Sequence, residues 1–298
     1  MIPKNQGFTL VELAIVIVII GLLVGGVLQG QELIKASNRN NVISEFNNLD
    51  SAVNLFKNKY GFLPGDIPNA TNYWPSISTP NNSNCNRTST ISETCNGEGD
   101  GYIDYDQGVF GSTSNSTWES RRAWQQLSLA GLIKGTYSGT DSLDCIGGSL
   151  CYKPLINSPS SKLSEASGYV IFTSGSDNLF VSYESGYTLI YLASLRSCKV
   201  NTAWAGRWHC PTLTPEDAQQ IDIKMDDGKP YMGIVNDQRI SASGHNFSPN
   251  CTTNEIPDTA QYNTILNSAE CLLYLKKSYL FIKFFASSTV SSSDFLLY

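Results

Sequence analysis

Between Leu13 and Leu28 every residue is apolar or glycine, and Phe8, Leu10 and Val11 extend the stretch toward the amino terminus. Together they approach the roughly 20 residues a helix needs to cross a bilayer. A buried helix of a soluble protein is the competing reading, but few globular domains open on so continuous an apolar run. One residue is out of place in it. Glu12 is a carboxylate near the start of the segment, and left unpartnered in mid-bilayer it would cost about 2–3 kcal/mol, which makes it a functional candidate. An ordinary secretory signal places its small residues after the apolar run, where cleavage removes it. Here the small residue, Gly7, comes first, behind the polar MIPKNQ with its single Lys4. Cleavage between Gly7 and Phe8 keeps the helix in the mature chain and puts Glu12 one turn from a new α-amine, its own or that of an adjacent copy.

The string G-FTLVE followed by an apolar helix resembles the type IV prepilin signature shared by pilins and type II secretion pseudopilins. The resemblance covers about residues 3–35 of the chain. It implies cutting after Gly7 by an inner-membrane prepilin peptidase, N-methylation of Phe8, and pairing of Glu12 with the Phe8 amine of a neighbouring subunit. Because Glu12 is present, a tip subunit of the kind that lacks this glutamate is disfavoured.

The helix is expected to run past the membrane, since Ile34, Val42, Phe46, Leu49, Val53 and Phe56 recur near helical spacing among Glu32, Lys35, Arg39, Glu45 and Asp50. Gly61, Pro64 and Gly65 then stop it. A helix from Phe8 to Tyr60 would be ~80 Å long. Gly21, Gly25, Gly26 and Gly30 in its apolar half serve either close packing between helices or local unwinding on assembly. The expected organisation is a leader over 1–7, a transmembrane segment over 8–29, a periplasmic continuation over 30–60 and a globular head over 61–298. Lys4 before the segment against Lys35 and Arg39 after it gives no clear orientation. Orientation rests on the resemblance, which implies an inner-membrane anchor with a periplasmic head, and on the cysteines.

Those cysteines number eight: Cys85, Cys95, Cys145, Cys151, Cys198, Cys210, Cys251 and Cys271. None forms a C-x-x-C pair, so disulfides in an oxidising compartment explain them better than a metal-thiolate cluster. Connectivity is not readable. The simplest pairing joins sequence neighbours, 85–95, 145–151, 198–210 and 251–271. A net charge of −6 disfavours a nucleic-acid partner.

In the head, Ser116 and Glu119 form a capping box ahead of an amphipathic helix over 117–130. Runs at 169–174, 179–183 and 187–193, separated by turn residues, read as an antiparallel meander. Thr214 and Pro215 open a second helix over 214–224, stopped by Gly228. The apolar tail 271–286 is interrupted by Lys276, Lys277 and Lys283, too charged for a second span, and reads as a terminal strand. The expected fold is α+β: a long N-terminal helix, membrane-spanning in its first half, packed on the antiparallel sheet of a disulfide-bonded head. The pilin resemblance implies the same architecture.

The one cofactor the sequence offers is Ca²⁺. In NGEGDGYIDYDQ, Asn96, Glu98 and Asp100 fill alternate positions of a twelve-residue loop, Gly101 supplies the turn, Tyr102 a carbonyl and Asp104 the ninth place. Gln107 replaces the closing glutamate, for which Asp106 can substitute. A solvated Gly/Asp turn is the alternative reading. A second acidic turn, MDDGKPYMG, brings Asp226 and Asp227 close behind Asp222. No G-x-S-x-G elbow, Walker loop or H-E-x-x-H occurs, and the two histidines, His209 and His245, give no catalytic pattern. The expectation is a structural, non-catalytic subunit, minor by its large head, of a type II pseudopilus or type IV pilus. Its partners would be other pilin-like subunits, prepilin peptidase, the inner-membrane assembly platform and membrane lipid. The alternative is an adhesin-like minor pilin whose head binds a surface ligand or exoprotein.

Overall fold

The computed structural model describes residues 9–77, 91–104, 119–140, 152–174, 186–194, 210–238 and 250–279. Its elements are α1 (Leu10–Tyr60), α2 (Glu119–Leu129), β1 (Ser167–Thr173), β2 (Thr188–Ser194), α3 (Pro215–Met225), β3 (Val235–Asp237) and β4 (Leu273–Lys277). The fold is α+β, a long helix packed on a four-stranded antiparallel sheet of order β1-β2-β4-β3.

Helix α1 is continuous for 51 residues and ends where Gly61, at φ +81°, turns left-handed and donates its N–H to the Lys57 carbonyl at 2.8 Å. Its two halves differ in what covers them. From Leu10 to Leu28 the side chains are exposed, and this is the one helix among the described residues long and apolar enough to cross a membrane. From Val42 onward one face is buried. Val42, Phe46, Leu49, Ala52, Val53 and Phe56 join the head's core, each large side chain worth about 1.5–3 kcal/mol of burial.

Both faces of β1 and β2 are buried. Tyr169 meets Phe46 of α1 edge-on at 5.6 Å between ring centroids. On the opposite face Phe172, Tyr191 and Tyr274 stack across three strands at 5.2 and 4.8 Å. The strands on either side of the expected run at 179–183 pair directly with each other, so they are not first and third of a meander. That run itself lies outside the described residues. Of the strand expected over 271–286, Leu273–Lys277 is present as β4 and residues 280–286 lie outside the described residues; the short β3 was not foreseen.

Polar clamps fix the sheet and α3 to α1. The Glu45 carboxylate accepts from Ser161 Oγ, the Lys162 N–H and the Tyr169 hydroxyl at 2.6–2.9 Å. Asp50 accepts from Tyr279 at 2.6 Å and pairs with Lys277 at 3.3 Å. Arg39 pairs with Asp217 at 2.7 Å, and Lys224 donates to Asn40 at 3.0 Å. Asp217 and Lys224 lie about 10 Å apart along α3, so the two contacts tie both ends of α3 to neighbouring residues of α1. Removing the Glu45 acceptor leaves three donors unmatched at a half-buried junction. Glu45→Ala should therefore lower unfolding free energy by about 2 kcal/mol, measured by denaturant titration in detergent, with Glu45→Gln recovering part of the loss.

Candidate functional site

The amino-terminal site is built by a capping box. Thr9, with extended backbone, accepts the Glu12 N–H on its Oγ1 at 3.3 Å. In return the Glu12 Oε2 accepts both the Thr9 N–H and the Thr9 hydroxyl at 2.8 Å. Within one chain the carboxylate is thus hydrogen-bonded but carries no counter-charge among the described residues, which leaves it open to a cationic partner. Thr9 was not foreseen in this role, although T-x-x-E ahead of an apolar run is the sequence signal for it. Gly7 and Phe8 lie outside the described residues.

In the head, α2 gathers the acidic loop. The expected amphipathic helix is instead buried on every side, and each residue from Glu119 to Leu127 is inaccessible. Its polar side chains serve as partners for neighbouring backbone. Gln126 accepts the Gly65 N–H at 2.6 Å and donates to the Cys95 carbonyl at 3.2 Å, and Gln125 donates to the Glu93 carbonyl at 3.0 Å. Glu119, expected to cap its own helix with Ser116, reaches the other way. It accepts the N–H groups of Glu98 at 3.2 Å and Asp104 at 2.9 Å, while Ser116 lies outside the described residues.

Of the expected Ca²⁺ ligands the structure brings two together. Glu98 and Asp104 each place a carboxylate oxygen within 4.8 Å of the other and of Glu119. Asn96 is turned away and accepts the Thr71 N–H at 2.9 Å. Asp100 accepts the Tyr102 N–H at 2.8 Å, which makes a local turn. Asp106 lies outside the described residues. Asp66, from the LPGD stretch, completes the cradle by accepting the Asp100 and Gly101 N–H groups at 3.0 Å each. Neither Asp66 nor Glu119 was foreseen, because neither falls in the twelve-residue loop. Three hard carboxylates gathered at a loop are a donor set suited to Ca²⁺.

Burial raises the pKa of these groups and so weakens them as acids. Desolvation pushes Glu119 up to about 9 and Asp66 up to about 7, with neighbouring carboxylates adding to the rise against the lowering effect of their backbone donors. Glu98 is raised for the same reasons. In the second acidic turn Asp222 is pushed up to about 7, again by burial first. A carboxyl group raised in the folded state binds its proton more tightly there than in the unfolded chain. It therefore stabilises the fold fully below about pH 4, and that stabilisation is lost as pH rises through the folded value. In chelator the head's melting temperature should fall by several degrees between pH 5 and pH 9, and the combined Asp66→Asn and Glu119→Gln changes should flatten that slope.

The second turn spends its oxygens locally. Asp222 accepts from the Tyr262 hydroxyl at 2.9 Å and the Gly228 N–H at 3.2 Å, Asp227 from the Lys229 N–H at 2.8 Å, and Asp226 from the N–H groups of Ile234 and Val235. Its three carboxylates also lie within 4.8 Å of one another. Cys251 and Cys271 form a disulfide, as the neighbour pairing has it. Cys95 and Cys210 are also disulfide-bonded, while Cys85, Cys145, Cys151 and Cys198 lie outside the described residues.

No curated protein and no solved structure matches this chain. One family model does, described as the prokaryotic N-terminal methylation motif, and it covers residues 2–28. The chain thus carries, over its capped and exposed apolar helix, the signature of type IV pilins and pseudopilins, a family of structural subunits processed by prepilin peptidase.

Proposed function

We propose that this chain is a filament-forming structural subunit rather than a catalyst. It is made as a precursor, trimmed between Gly7 and Phe8, methylated on Phe8 and held in the inner membrane by residues 8–29, with its head in the periplasm. It polymerises when Glu12 of one copy meets the Phe8 amine of the next, assisted by the assembly platform, and needs no nucleic acid. The observation that carries this reading is the methylation motif on residues 2–28, continuous with a 51-residue helix whose apolar first half is exposed among the described residues. A bare apolar helix of this length requires lipid or other helices around it. The head, at 238 residues from 61 to 298, is large for a repeating subunit and favours a minor place in the filament. A type II pseudopilus and a type IV pilus are served equally by these features. Filaments sheared from cells expressing the tagged chain should contain it at a small fraction of the major subunit; its absence from every sheared fraction would contradict the proposal.

The head takes one Ca²⁺ at Glu98, Asp104 and Glu119, where the ion offsets the cost of burying the Glu119 carboxylate, whose pKa burial pushes up to about 9. At 100-fold excess over its dissociation constant a bound ion stabilises by about 2.7 kcal/mol. Adding Ca²⁺ at pH 8 to chelator-treated protein should therefore raise the melting temperature by several degrees. Asp104→Asn should abolish the rise, and a melting curve indifferent to Ca²⁺ would remove the ion from the account.

A further inference from the structure

A cleft lies between the end of α3 and the disulfide-anchored segment 251–262, with a volume of about 360 Å³ and a lining that includes Gln219, Gly228, Lys229, Asp258, Thr259 and Gln261. Both walls are fixed. Asp222 of α3 and Tyr262 join them at 2.9 Å, and Gly228 is held by the same carboxylate. The Cys251–Cys271 bond anchors the far wall. Within that wall Asn254 accepts from the Ile256 N–H and the Thr259 hydroxyl, while the Thr253 N–H donates to the Gln261 carbonyl at 2.8 Å. Against this committed background, the side-chain ends of Gln219, Lys229, Asp258 and Gln261 make no hydrogen bond or ion pair among the described residues.

We infer that this cleft binds a neutral, polyhydroxylated ligand, one sugar unit of a surface glycan. Two amides, an ammonium and a carboxylate supply donors and acceptors on rigid walls, and each sugar hydroxyl uses both kinds. One positive and one negative group cancel, which disfavours an anion or a cation, and an apolar ligand would strand all four polar ends. The volume equals roughly a dozen waters, room for one or two pyranose rings. A free amino acid would match Lys229 and Asp258 but leave both amides unused.

The test is saturation-transfer NMR on the full chain in detergent micelles, probed with methyl glycosides of glucose, galactose and N-acetylglucosamine, and separately with glycine and alanine. At least one glycoside should bind with a dissociation constant of about 1 mM. Gln219→Ala and Asp258→Ala, one on each wall and both at accessible positions, should each weaken it by about fivefold or more without changing the melting temperature. Transfer to no glycoside, transfer unaffected by either substitution, or transfer to the amino acids alone would overturn the inference. None of these outcomes touches the filament reading, which rests on residues at the opposite end of the chain.

Discussion

Replacing Glu12 by leucine should leave the chain inserted in the membrane yet reduce its recovery in assembled filaments by about tenfold or more. Insertion is favoured by the change, since a carboxylate among Leu10, Val11 and Leu13 is the residue that opposes partition into lipid. Assembly is not, because the change removes the charge that answers a neighbour's terminal amine. The capping box separates this effect from a merely local one. Thr9→Val deletes the hydroxyl that accepts from the Glu12 N–H and donates to its carboxylate, costing about 1 kcal/mol at the helix start, but keeps the charge. Thr9→Val should therefore assemble far better than Glu12→Leu. Membrane fractionation and quantitative blotting of sheared filaments measure both variants. Equal recovery of Glu12→Leu and the parent would exclude charge pairing as the driving contact.

Gly65→Ala should unfold much of the head, with a loss of about 3 kcal/mol or more. Gly65 has φ +90°, where an added Cβ is strained. That Cβ would also collide with the Glu119 carbonyl and lie 3.2 Å from the Ala123 nitrogen. Gly97 meets Gly65 and Asp66 just as closely from the other side. Three backbone segments thus converge where only glycine allows contact, and there Asp66 and Glu119 reach the 98–104 backbone. Backbone cannot yield as a flexible side-chain end can, which places the substitution among the severe ones. Circular dichroism melting of the full chain in detergent checks it. Gly61→Ala, also at positive φ but with nothing near its Cβ, should cost only about 1 kcal/mol, and comparable losses at the two positions would contradict the packing argument.

Local signals were legible in the sequence, and long-range ones were not. The apolar run, its extension to Tyr60 and the stop at Gly61 follow from periodicity and backbone chemistry and need no tertiary knowledge. The Thr214 cap is equally local, and the structure shows it accepting the Asp217 N–H at 3.1 Å. Helix α2 was misread because amphipathic patterning assumes that polar residues seek water. Here Gln125 and Gln126 pair with backbone groups of Gly65, Glu93 and Cys95, 31 to 61 residues away, which no periodicity encodes. The run of acidic residues at 98–104 is visible in the sequence, but its geometry depends on Asp66 and Glu119, residues that become its neighbours only on folding. The direct β1–β2 pairing was hidden for the same reason, since turn signals say where strands end and not which strands meet.

Intact-mass and amino-terminal peptide analysis of the chain, purified from cells that contain prepilin peptidase, addresses the claim on which the filament reading depends. That claim is that a positive terminus is created one helical turn from Glu12. The mature protein is predicted to begin at Phe8, to carry one added methyl group on its amine and to retain the apolar segment through Leu28. A chain still beginning at Met1, or cut beyond Leu28, would contradict it.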